Sequence, residues 1–294
     1  MRTIICKNAD GVEIRMSYEE NAVFFIDTVD GVSSVDNSVA TSSNTTVDGS
    51  TYQGSVTKQR NIVITLLLTA YSEAEHREYR NMLYKCFKPK TAGTLTFIEE
   101  DEKRIIDYRV ESVDIDNTGV NRSATISLIC PDPFFKDIAD TEIIMAGWEN
   151  AFEFIHEFKE EGEEFGYRTA EITKAIDNDS AADNIGMEIT ISATGPVTNP
   201  AVYHQEEKEH IKIGTDNQTF SMQAGDILRI TTVTNEKDVV LIRDGAEESV
   251  NQYLDEESEF IQLVHGANTI TYAADTGREY MNVSVKYRYR YLGV

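Results

Sequence analysis

The sequence predicts a mostly β protein: an N-terminal β-barrel or sandwich domain with one α-helix, then an antiparallel β-sandwich of jelly-roll type. Three observations lead there. The chain has 294 residues, about twice the usual domain size. Short runs of alternating apolar and polar residues, broken by Asp, Asn and Gly turns, fill most of it. One segment alone combines a helical period with start and stop signals. The stretch Pro131-Asp132-Pro133-Phe134-Phe135 ends regular pairing, because proline has no amide to donate to a ladder. Domains are therefore expected at 1–137 and 138–294.

Taken in order, Val12 to Phe25 carries short apolar alternations. The polar stretch Asp30 to Lys58 is rich in Ser, Thr and Val and holds two turn dipeptides, Asp30-Gly31 and Asp48-Gly49. Thr and Val favour extended backbone, so a long loop or protruding hairpin is expected there. Asn61 to Tyr71 is apolar on both faces, the pattern of a strand covered on both sides. At Ser72 a helix begins: the hydroxyl can accept from the amide of Glu75, whose carboxylate reaches back. Tyr79, Met82, Leu83, Cys86 and Phe87 follow at helical spacing, and Pro89 lies past the end. His76, among charged residues in the first turns, is expected to be exposed. Strands are expected at Thr94–Ile98 and Ile106–Val110 around the acidic turn Glu99–Glu102. Another follows, with Ala124, Ile126, Leu128 and Cys130 on one face.

The second half gives almost only strand signals. Met187, Ile189, Ile191 and Ala193 alternate with polar residues, as do Ile270, Tyr272 and Ala274. The most regular alternation is at the C-terminus, where Met281, Val283, Val285, Tyr287, Tyr289 and Tyr291 share one face. Many short alternating strands joined by tight turns argue for an antiparallel sandwich.

Composition narrows the function. Net charge is −24, and it is uneven: −6 over residues 1–137 and −18 over 138–294. Such a surface disfavours phosphate-backbone binding, which needs clustered Lys and Arg. No apolar run approaches the ~18 residues of a membrane span, and no secretory signal opens the chain. Folding in a cytosol is expected. Cys6, Cys86 and Cys130 are far apart, lack metal-ligand spacing and fit buried small hydrophobes.

Candidates for chemistry are few. Phosphate cradles and serine elbows have no matching motif. His204-Gln-Glu-Glu-Lys-Glu-His210 invites a metal, but Ile211 and Ile213 extend it as a strand. That would set the imidazoles about 20 Å apart; a solvated acidic turn is expected. Asp114 to Gly119 resembles half a calcium loop, but Thr125 stands where the bidentate carboxylate belongs, so a hairpin turn is expected. The runs Glu99–Glu102, Glu160–Glu164 and Asp255–Glu259 fit solvated surface, with no partner residue marking a general acid. His156 and His265 have no evident partner. Arg288 and Arg290 beside tyrosines fit a strand with a charged outer face, and Trp148 a core or interdomain plug. No catalytic residue, cofactor or metal is assigned.

The order of elements carries a resemblance. Val47-Asp48-Gly49-Ser50-Thr51-Tyr52-Gln53-Gly54, then Arg60-Asn61-Ile62, a strand and helix, Cys86-Phe87-Lys88-Pro89 and Cys130 to Phe135 follow one another. Together they resemble the N-terminal domain of siphophage distal tail proteins, the baseplate hub components often called Dit. Asn199-Pro200-Ala201-Val202, Ala224-Gly225-Asp226, Leu263 to Ile270 and Tyr287 to Tyr291 are similar to that family's galectin-like C-terminal sandwich.

The resemblance implies a homohexameric ring at the phage tail tip, joining the tail tube protein to the tail-associated hub protein. It implies a virion component assembled in the bacterial host cytoplasm, with DNA only passing through the channel and no membrane partner. C-terminal domains would be a platform for receptor-binding proteins or side fibres. Asp30, Val47, Asp48, Gly49, Tyr52, Gln53 and Arg60 are then expected at an inter-subunit or tube interface. Glu99, Glu100, Asp101 and Glu102 are expected to line the channel and repel DNA phosphates. Two other functions stand beside this one. A carbohydrate-binding adhesion module touching the host surface would need an exposed aromatic beside polar groups. Trp148 precedes Glu149-Asn150, outside the W-G-x-E-x-R run of galectins. A glycan-active enzyme would need two carboxylates about 5–9.5 Å apart, and nothing places such a pair.

Overall fold

The computed structural model describes residues 2–43, 48–116, 122–150, 166–180 and 184–294, with 147–150 and 166–170 as backbone only. The chain divides into two compact units, Met1–Ile138 with Arg290–Val294, and Ala139–Tyr289. The last five residues, expected in the C-terminal domain, thus return to the first. The alternation of the C-terminal strand hides this. The strand Met281–Tyr287 stops, and Arg290–Tyr291 pairs instead with Phe135–Asp137 of unit 1.

In unit 1, seven strands close into a barrel in the order Glu102–Ile115, Ala92–Glu99, Arg2–Asn8, Glu13–Ser17, Phe24–Asp30, Arg60–Leu68, Ser123–Cys130. The last pairs back on the first, Arg109 opposite Ile129. Neighbours are antiparallel except Glu13–Ser17 beside Phe24–Asp30. Alternate residues point inward, so Ile4, Cys6, Ile62, Ile64, Leu66, Leu95, Ile126 and Leu128 form a buried core. Arg60–Leu68, expected to be covered on both sides, buries Ile62, Ile64, Leu66 and Leu68 but leaves Val63 and Leu67 half-exposed. They lie on the outer side of a closed barrel.

The one α-helix among the described residues, Glu73–Cys86, starts where expected. Ser72 Oγ accepts from the Glu75 amide at 3.2 Å. The Glu75 carboxylate accepts from the Tyr71 amide at 2.8 Å, one residue earlier than in the usual reciprocal cap. At the other end Asn8 Nδ2 donates to the carbonyls of Lys85 and Cys86, both at 3.0 Å, satisfying orphan acceptors. Leu83, Cys86 and Phe87 are buried as expected, whereas Met82 is exposed and His76 is buried. His76 lies seven residues before Leu83 on the same stripe, and Met82 at that stripe's far edge. Burial pulls the His76 imidazole below its ordinary pKa, and Arg122 adds to this.

Unit 2 is an antiparallel sandwich. A seven-stranded sheet runs in the order Gly166–Ala170, Thr141–Asn150, Met281–Tyr287, Met187–Ala193, Ile227–Thr231, Asp238–Arg243, Ala246–Ser249. A second sheet joins Thr173–Asn178, Gly266–Thr276, Val197–His204 and Glu209–Lys212, with Ser221–Met222 beside Val197–His204. Ile189, Ile191, Leu228, Ile230, Val283 and Val285 of the first meet Ile176, Val202, Ile211, Ile270 and Tyr272 of the second in one core.

Candidate assembly site

Asn37–Ser42 and Thr51–Thr57 form a two-stranded sheet of their own, the arm of unit 1. The Lys58 amide donating to Asp36 O at 2.8 Å closes its base. Neither strand holds a charged residue, in a chain of net charge −24. Val39, Tyr52 and Val56 are 58, 62 and 71% exposed. Tyr52 Oη donates to Ser55 Oγ at 2.9 Å, and Gln53 Nε2 to Ser42 Oγ at 2.8 Å. Such a strand pair is a template for another chain, since its outer edges offer ladder groups and no charge wards off a partner.

Tyr52 and Gln53 lie on the arm, Asp48 and Gly49 are exposed toward its tip, and Asp30 is exposed where the preceding strand ends, opposite Val63. Val47 lies outside the described residues. Arg60, also expected at an interface, is buried within unit 1, 3% exposed. Its Nε donates to Pro133 O at 2.7 Å, its Nη1 to Gly31 O at 2.7 Å and its Nη2 to Leu292 O, and the guanidinium lies 4.9 Å from the Phe135 ring centre. Burial pulls its pKa down. An isolated buried charge is costly, and here three carbonyl dipoles replace the lost water.

One of those carbonyls belongs to a strap, Arg290–Val294, that sequence reasoning missed. Arg290 Nη2 meets Asp132 and its guanidinium lies 4.2 Å from the Phe134 ring centre. Tyr291 Oη donates to Asp137 Oδ2 at 3.2 Å, and Arg104 lies 3.7 Å over the Tyr291 ring. Although burial opposes it, Lys136 at 2.8 Å and Arg290 hold the Asp132 carboxyl below its ordinary pKa. The Val294 amide donates to Val32 O at 3.1 Å, and a Cβ on Gly293 would stand 2.4 Å from Ser33 O. The Tyr-Arg repeat was the visible signal, but the pairing partner is more than 150 residues away.

The acidic turn joins Ala92–Glu99 to Glu102–Ile115. Glu99 pairs with Arg2 at 2.7 Å and Glu102 with Arg104 at 3.6 Å. Glu100, Asp101 and Glu102 are exposed, and Glu100 adopts a left-handed φ of 52°. Two of the four carboxylates thus have a cation beside them, and Arg104 is shared with Asp137 at 2.7 Å.

The histidine-rich segment is a hairpin, not one long strand: Val197–His204 turns into Glu209–Lys212, with Tyr203 opposite His210. His204 points into the core while His210 stacks on Tyr203, ring centres 5.6 Å apart. The two imidazoles face opposite sides and hold no common ligand position. His156 lies outside the described residues, and His265 Nδ1 is 3.3 Å from Ser180 O. Of the calcium-like loop, 117–121 are outside the described residues, and Asp114 and Thr125 are partners in a ladder. Trp148 is in the strand Thr141–Asn150, its side chain outside the description.

The segments carrying the C-terminal resemblance are architectural. Asn199, at φ 49°, accepts from the Phe220 amide through Oδ1 at 2.8 Å and donates to Asp275 at 2.7 Å. Asp226 is buried and held by Arg243, Nε to Oδ1 at 2.9 Å, which keeps its pKa below the ordinary carboxylate value. Asn268 is the hub of five hydrogen bonds.

Two family models match. Residues 15–130 match the phage tail protein RIFT-related domain, and 181–291 the C-terminal domain of the siphovirus-type tail component. No curated protein matches. Among solved structures, the crystal structure of the phage SPP1 Dit protein, described as a paradigm of the hub adsorption apparatus in phages infecting Gram-positive hosts, is similar. It has 14% identity and a TM-score of 0.68 over 98% of this chain and 99% of that one. The structure of the phage P2 baseplate in its activated conformation with Ca gives 12% identity and a TM-score of 0.48 over 98% of each chain.

Proposed function

This chain belongs to the siphophage distal tail protein family and is a structural component of the phage tail's baseplate hub, and from that premise we propose that copies of unit 1 close into a six-membered ring knit by their arms. The observation that carries this reading is the arm itself. Six chains of charge −24 repel one another, so contact is least costly where charge is absent. The arm is the exposed, uncharged, apolar-dotted strand pair of unit 1, and it has free ladder edges. Asp48, Gly49, Tyr52 and Gln53 would then contact a neighbouring copy or the tail tube protein. The other axial face would receive the tail-associated hub protein.

Unit 2 would be the attachment platform for receptor-binding proteins or side fibres. Assembly would take place in the host cytoplasm. Glu100 and Asp101, without the arginines that attend Glu99 and Glu102, would be the carboxylates facing passing DNA. Val39→Glu combined with Val56→Glu tests the arm. Both sites are exposed, so folding stability should change by less than about 1 kcal/mol. The concentration needed for ring formation, read by light scattering, should rise at least about tenfold. Unaltered assembly would refute the arm as the joint.

A further inference from the structure

The arm leaves the barrel between the end of Phe24–Asp30 and the start of Arg60–Leu68, and its base residues 31–33 belong to no strand of unit 1. A hairpin attached only through its two ends would swing. Three contacts converge on that base, all from outside the arm. Arg60 Nη1 holds Gly31 O, the Val294 amide holds Val32 O, and Gly293 lies close enough to Ser33 that no side chain fits between them. Arg60 itself is anchored to Pro133 O and Phe135 and also holds Leu292 O, so one buried guanidinium ties the strap and the arm base to the same point of the barrel.

Resting on the reading of the arm as the inter-subunit joint, we infer that Arg60 and the strap residues Leu292–Val294 are positioning residues that set the direction of the arm before assembly. The strap bridges the arm base to the barrel. Arg290 and Tyr291 bind it to Asp132, Asp137 and Arg104, while Gly293 and Val294 engage Val32 and Ser33. Arg60 reaches Gly31 through its side chain, whereas the strap meets Val32 and Ser33 through the Val294 amide and the close approach at Gly293. Pre-orienting a segment lowers the ordering entropy lost on association, which is how residues remote from an interface change its affinity.

Gly293→Val in the full chain is the primary test, because a Cβ there would stand 2.4 Å from Ser33 O and 3.0 Å from Val32 O, so the arm base must shift. Val294→Pro is the milder companion: it deletes the amide that reaches Val32 O and keeps an apolar side chain. Hydrogen exchange is read at Lys58, whose amide closes the arm base, and across 36–58. Amides of Arg60–Leu68 and Ser123–Cys130 report barrel integrity. Arm-base exchange should accelerate about tenfold in Gly293→Val and less in Val294→Pro, with barrel amides unchanged. The concentration for ring formation should rise in the same order.

Unchanged exchange at Lys58 in both variants overturns the clasp, whatever happens to assembly. Equal acceleration in the barrel and the arm in both variants also overturns it, by making the strap a general fold element. Faster arm exchange with unaltered ring formation would uphold the clasp and refute the arm as the joint.

Discussion

Replacing Asn268 by alanine should unfold unit 2 far more readily while leaving unit 1 as it was. Asn268 is fully buried. Its Nδ2 donates to Ile176 O at 3.3 Å, Val264 O at 2.9 Å and Gly266 O at 2.7 Å, which fixes Oδ1 as the acceptor. Oδ1 accepts from the Val264 amide at 2.8 Å and from His204 Nε2 at 2.9 Å, so His204 carries its proton on Nε2. Alanine removes all five bonds and leaves two N–H donors unmatched in a place water does not reach. At about 1 kcal/mol net for each bond, with some relief at the carbonyls, the loss is about 4 kcal/mol. With a urea slope of about 2 kcal/mol/M, the unit 2 midpoint should fall by about 2 M. Circular dichroism follows both β-rich units together, and thiol accessibility follows unit 1, which holds all three cysteines, so the transition seen by the first and not the second is that of unit 2. A fall below about 0.5 M would refute the hub role of Asn268. An equal fall in unit 1 would refute separate unfolding of the two cores.

Other outcomes follow from the same geometry. Burial raises the thiol pKa to about 11 at Cys86 and about 12 at Cys130, and raises Cys6 well above its usual value. A maleimide at neutral pH should therefore label none of them until unit 1 unfolds, and then all together; labelling of the native chain within minutes would contradict this. Asp226, with its folded pKa held below 3.8 by Arg243, contributes stability that is intact above the unfolded value and lost as pH falls through the folded one. Asp226→Asn should cost unit 2 about 2 kcal/mol at pH 7. That difference should shrink below pH 3.8, and a difference independent of pH would refute the pair as its source.

Much of the fold was legible because its signals are local. Ser72 and Glu75 announce a helix start through side chains three residues apart, and Thr and Val around Asp48-Gly49 announce an extended arm. The strands Met187–Ala193 and Gly266–Thr276 show inward and outward residues directly. What escaped depends on distant partners. Nothing near Arg60 says that its guanidinium will be enclosed by residues 31, 133 and 292, and an exposed arginine beside a polar arm has the same local sequence. The alternation from Met281 to Tyr291 continues unbroken through the point where the chain leaves one unit for the other. In His204 to His210 the solvated acidic turn was legible, and Gln205 to Lys208 form it with Lys208 at φ 60°, but the return strand that sets His210 opposite Tyr203 was not. His76 was misplaced because charged neighbours outweighed its spacing from Tyr79 and Leu83.

The closed ring is tested first by the mass of the purified full chain as concentration rises, with particle images of the same sample and of the intact tail tip. A species at six times the 33.1 kDa chain mass and a six-fold ring with an open centre are expected. A monomer at every concentration, together with tail-tip images lacking six-fold density for this chain, would contradict it.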